Sequence, residues 1–104
     1  MTTFDDRENA FEAKFALDEA MKFKAEARRN KLLGLWAAGL MGKDAEAAAA
    51  YAFEVIAHDF TEAGDEDVFR KVSGDLGALS DAATVRAKMS ELAATAKAQL
   101  MAEG

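Results

Sequence analysis

Cysteine and proline are both missing from the 104 residues. Without cysteine there can be no disulfide framework, thiolate metal site or cysteine nucleophile, and the chain suits a reducing compartment. Without proline no helix is obliged to break. Histidine occurs once, at position 58, so the usual His and Cys ligands of a transition-metal site cannot be assembled. No apolar run approaches the ~20 residues that span a bilayer. The start carries Asp5 and Asp6 where a secretory signal is basic and then apolar. The expected location is cytoplasmic, without direct membrane insertion. Basic residues are in the minority, 13 Lys and Arg against 19 Asp and Glu, a net charge of −6. That balance argues against general nucleic-acid binding, which needs a surplus of cations on one face. The length allows one small domain.

What is abundant is alanine, with leucine, lysine, glutamate and methionine filling most other positions, and strand signals are lacking. The chain reads as all-α. A first helix runs through MKFKAEARRNKLLGLWAAGL with Met21, Ala25, Leu32, Trp36 and Leu40 along one side, and stops at Gly42. Gly34 and Gly39 either weaken it or let a neighbour approach. A second begins with Asp44 as N-cap, carries Ala49, Ala52, Phe53, Ile56 and Phe60, and ends near Gly64. A third starts at Asp65, with Glu66 and Asp67 in its positively polarised first turn, and offers Val68, Phe69, Val72, Leu76 and Leu79. A fourth, capped by Ser80 or Asp81, turns Val85, Met89, Leu92, Ala96 and Leu100 inward. Short connections make a compact four-helix bundle the expected fold, spanning 19–104 and monomeric when free.

The opening stretch, TTFDDRENAFEAKF, sets Phe4, Phe11 and Phe15 among Asp5, Asp6, Arg7, Glu8, Glu12 and Lys14. At ~100° per residue the three rings fall within an arc of about 40° on a helix, so they form one stripe. Asp5 followed by Glu8 resembles a capping box. A terminal helix of this length does not recover its nucleation cost without a surface to bury against. Burying three phenylalanines is worth roughly 5–9 kcal/mol gross, and ordering the segment consumes ~2–5 kcal/mol of it. Residues 1–18 are therefore expected to be a mobile segment that becomes helical on a partner. The alternative is that the rings pack at home, as an extension of the first helix.

Other candidates for chemistry are weaker. His58 stands beside an apolar face and reads as structural. The GDEDVF segment lacks the ligand spacing of a calcium loop and reads as a helix N-terminus. No phosphate loop, nucleophile elbow or dinucleotide fingerprint is present, so catalysis has no positive support and no cofactor is required. Arg28, Arg29 and Lys31 near Trp36 could hold ADP, ATP or another small anion against the indole, against the alternative of a solvated basic face beside a core tryptophan.

Taken in order, FDDRENAFEAKF, KAEARRNKLLGLWAAGLMG and GDEDVFRKV resemble the ζ subunit family, the small inhibitors of the α-proteobacterial F-type ATP synthase. The likeness covers essentially the whole chain. It departs at Asn9, where the family more often shows a basic residue, and at Leu17, where it shows a histidine. The resemblance implies a non-enzymatic four-helix bundle whose N-terminal segment enters a catalytic α/β interface of the synthase head near the rotor, contacting α, β and γ subunits, and blocks ATP hydrolysis. By that likeness the inhibitory stretch is Phe4, Asp5, Asp6, Arg7, Glu8, Phe11, Glu12, Lys14 and Phe15. When bound, the protein would sit at the cytoplasmic face of the inner membrane.

Overall fold

The computed structural model describes residues 19–58 and 65–103; the stretch 1–18, with the aromatic stripe, lies outside them. The described residues form four α-helices and no strand. They are α1 (Glu19–Leu40), α2 (Ala45–His58), α3 (Glu66–Leu76) and α4 (Ala82–Glu103), with a single 3-10 turn, Gly77–Leu79, after α3. The four-helix, all-α architecture is as the composition implies. No described helix is long and apolar enough to cross a membrane.

The helix boundaries follow from local chemistry. Gly42, at φ 74°, takes the left-handed conformation that ends α1. Around it Gly42 N–H donates to the Gly39 carbonyl at 3.2 Å and Lys43 N–H to the Ala38 carbonyl at 3.0 Å. These are the paired bonds of a Schellman motif, which satisfy carbonyls the helix end would orphan. Asp44 caps α2 by accepting Ala47 N–H at 2.8 Å. Asp81, rather than Ser80, caps α4 by accepting Thr84 N–H at 2.7 Å, and those bonds hold its carboxyl below the usual range. Gly77 closes α3 at φ 52°.

The core is built mainly from Leu33, Ala37, Ala38, Tyr51, Val55, Val68, Val72, Leu76, Val85 and Met89, with Trp36, Phe69 and Leu92 partly buried against it. Each fully buried Leu or Val stabilises the fold by roughly 1.5–3 kcal/mol gross. The α4 stripe is as the spacing indicates, since Val85, Met89, Ala96 and Leu100 are buried. Val68, Val72 and Leu76 of α3 are buried too, whereas Leu79 is exposed on the 3-10 turn.

On α1 and α2 the buried stripes differ in phase from those expected. The α1 interior is Asn30, Leu33, Gly34, Ala37 and Ala38, whereas Leu40 is exposed. The α2 interior is Tyr51, Ala52 and Val55, whereas Phe53 is 71% exposed and Ala49 is exposed. Phe60 lies outside the described residues. The physical cause on α1 is contact mainly with α2 and α4, and to a lesser extent with α3, which makes its buried surface wide and rich in small residues. At Gly34 the approach of α2 is closest: a Cβ there would meet Ala52 Cα at 2.6 Å, so only glycine fits without a shift. A Cβ at Gly39 meets nothing within 4 Å.

Candidate functional site

The three carboxylates of GDEDVF are the most connected polar group among the described residues. Asp65, which makes no side-chain cap of its own helix, takes Arg29 Nη1 of α1 at 3.0 Å. Glu66 receives both Nη atoms of Arg86 from α4, at 3.0 and 3.2 Å. Asp67 meets His58 Nε2 of α2 at 3.1 Å. The first turn of α3 is thus tied to each of the other helices, where its partial positive charge also favours acids. The Arg86 hydrogen bond, and then its charge, hold the Glu66 carboxyl below its ordinary value. The same guanidinium lies 3.8 Å from the centre of the Phe69 ring, a cation–π contact that fixes its orientation. These acids are helix-terminal joints, and no described cluster of three or more His, Asp or Glu could hold a metal ion. His58 is structural in the same sense, bridging α2 to α3.

A second polar joint links α2 to the far end of α3. Tyr51 donates its hydroxyl to Asp75 Oδ2 at 2.8 Å, and Lys71 Nζ reaches the same oxygen at 3.1 Å. Burial pushes the phenol well above its ordinary value, and the bond to Asp75 adds to that.

The four residues singled out for a nucleotide go to different places. Arg28 is spent on α4, where its Nη atoms bond Glu103 Oε2 at 2.7 Å and Oε1 at 3.0 Å and one also reaches Gln99 Oε1. That fork and its charge hold the Glu103 carboxyl low. Arg29 is 5% exposed and turned inward, its Nε donating to Asn30 Oδ1 at 2.9 Å beside the Asp65 pair. Lys31 is exposed. Trp36 is half-buried against the core, with Lys88 Nζ 5.9 Å from its ring centre. Arg86, Gln99 and Glu103, which the sequence did not single out, carry the interhelix joints along with Asp65, whose place at a helix start was the only signal of them.

The nine residues assigned to inhibition, Phe4 to Phe15, lie outside the described residues, so their role rests on sequence likeness. A family model described as ATPase inhibitor subunit zeta matches residues 1–99. The chain belongs to the ATPase inhibitor subunit zeta family. The match includes the aromatic stripe as well as α1, α2, α3 and most of α4, so the family model spans the segment and the bundle together. A protein solved by solution NMR shares the fold at a TM-score of 0.75 and 61% identity, covering 81% of this chain and 99% of its own. No curated protein matches the chain.

Proposed function

We propose that the protein inhibits ATP hydrolysis by the F-type ATP synthase, by inserting residues 4–15 as a helix at a catalytic α/β interface of the head near the rotor. The observation that carries this reading is the family match, which runs through the stripe and the bundle together. The physics of the segment agrees with it. Phe4, Phe11 and Phe15 share one helical face, and a short terminal helix gains stability only by burying such a face. The acids and Arg7 and Lys14 between the rings keep the segment soluble before it docks and pair with charges in the groove afterwards. Arg7 offers a bidentate fork to a carboxylate or phosphate, which a lysine cannot reproduce.

In this reading the bundle is the handle. Its helices are tied by ion pairs from the middle of α1, Arg28 with Glu103 of α4 and Arg29 with Asp65 at the start of α3, so docking leaves them unchanged and orders only the segment. The test is a set of inhibition titrations and melting curves on the same variants. Phe11→Ala and Phe15→Ala each weaken inhibition while the melting temperature stays nearly constant. Because the two rings are one turn apart, the double variant departs from additivity. Melting temperatures that fall in proportion to the loss of inhibition would place the rings in the domain core and overturn the docking-helix mechanism.

A further inference from the structure

Between the first half of α1 and the second half of α4 runs an open groove of about 460 Å³. Its floor is alanine, Ala25 from α1 with Ala93 and Ala94 from α4, and its walls carry Lys22, Arg29 and Lys97 against a single acid. On a chain of net charge −6, three cations around one apolar trough are a local reversal of sign. Arg29 makes that charge specific. Its Nη1 is held by Asp65 at 3.0 Å and its Nε donates to Asn30 Oδ1 at 2.9 Å, whereas Nη2 is buried and has no acceptor. A guanidinium only 5% exposed with one donor unmatched carries a desolvation cost that an acceptor seated in the groove would recover.

We propose that this groove is a second contact with the synthase head, and that it receives an Asp or Glu side chain carried on a stretch of small or apolar residues at the head surface. The proposal rests on the inhibitor reading above and adds to it a site on the bundle. Three features select this occupant. The first is charge: Asp65 already balances Arg29, so one spare donor between two lysines matches a singly charged carboxylate, which reaches Nη2 by a small turn of the guanidinium. The second is shape. From Lys22 to Arg29 the trough is about 10 Å long at 1.5 Å per residue, room for about two turns of a helix, and its alanine floor accepts apolar neighbours of the acid. The third is place: the groove opens at Lys22, less than one turn from Glu19, where α1 continues from the stretch proposed for inhibition. Once that stretch is engaged, the groove is presented to the surrounding head surface at a high effective concentration.

The two contacts do different work. The N-terminal stretch supplies the block, and the groove supplies affinity without touching catalysis. Loss of the groove contact therefore raises the concentration needed for half-inhibition and leaves the hydrolysis remaining at saturation unchanged. Ala94→Leu fills the floor from an exposed position, and Lys97→Glu reverses one rim charge at another. Lys31→Glu makes the same charge change at an exposed position outside the groove and serves as the control.

The experiment measures binding and inhibition separately, by calorimetric titration and by ATP hydrolysis, on a purified α-proteobacterial F-type head with the full chain and these three variants. Ala94→Leu and Lys97→Glu should each weaken binding about tenfold, with the melting temperature and the hydrolysis remaining at saturation as in the wild type. Lys31→Glu should change binding by less than about twofold. Groove variants that bind as tightly as the wild type would overturn the contact. So would an equal loss in Lys31→Glu, which would reduce the effect to general attraction. Sedimentation of the chain alone tests the other occupant: a dimer that Ala94→Leu dissolves gives the groove to a second copy and overturns the proposal. Failure of the functional reading looks different. A wild-type chain that inhibits, with groove variants that bind equally well, sinks the groove contact alone. One that binds without inhibiting, and binds less well once the groove is filled, sinks the inhibitor reading alone, and a chain that does not bind the head sinks both.

Discussion

The two long seams of α1 use small residues in opposite ways. Against α2, Gly34 removes even a Cβ so that the backbone of Ala52 can come into contact, and the seam is closed there, with Ala52 buried. Against α4, the short side chains of Ala25, Ala93 and Ala94 line an open groove, and a strap runs from Arg28 in the middle of α1 to Glu103 and Gln99 in the last turns of α4. One seam is a packing joint and the other is a strapped opening. The difference teaches that a small residue specifies close approach only where the partner backbone moves in to meet it; elsewhere it leaves room.

The comparison breaks most severely at the residue that anchors the closed side. Leu33, fully buried beside Gly34, should cost about 2–5 kcal/mol on change to Ala, seen as a lowered denaturant midpoint. Gly34→Ala should cost about 1–3 kcal/mol although it improves helix propensity, because the new methyl must push α2 away. Adding more bulk on the open side should do much less. Ala94→Leu is expected to leave the melting temperature nearly unchanged, and a large drop there would show that the α1–α4 seam is packed as tightly as the other. Arg28→Gln should have a smaller effect on stability than either core change, since the pair with Glu103 is solvent-screened.

The smallest effect is a pH dependence. Glu66 and Glu103 are both held below the ordinary value of 4.5 by their arginines. Carboxylates depressed in the folded state contribute stability that is present above the ordinary carboxylate pKa and is lost as the pH falls through the folded-state value. The melting temperature should therefore decline as the pH drops below about 4.5, and Glu103→Gln should flatten the decline.

Much of this fold is written in the residue order, and the places where it is not have physical causes. The α4 stripe is plain because its large apolar residues recur at three- and four-residue steps, Val85, Met89 and Leu92 on to Leu100, with Ala96 between them. The phase of α2 is not, because AEAAAAYAFE is apolar nearly all round, and hydrophobicity favours Phe53, the more apolar ring, over Tyr51 and Val55. On α1 the interior includes Arg29 and Asn30, the latter 1% exposed, which no search for apolar periodicity selects. The role of Arg29 depends on Asp65, 36 positions away and on another helix. Within the basic run at 28–31, the carboxylate partners of Arg28 and Arg29 lie far off in the chain, at Glu103 and Asp65, where the sequence could not point to them. The segment proposed for inhibition stands only in the residues themselves, in its aromatic spacing and the family motifs, and lies outside the described residues.

The account turns on whether residues 1–15 carry inhibition and the bundle does not. The direct measurement is ATP hydrolysis by a purified α-proteobacterial F-type catalytic head, titrated with the full chain and with a chain lacking residues 1–15 that still melts cooperatively. The prediction is saturable inhibition by the full chain and none by the shortened one. Hydrolysis unaffected by saturating full-length protein, or inhibited equally by both, would contradict it.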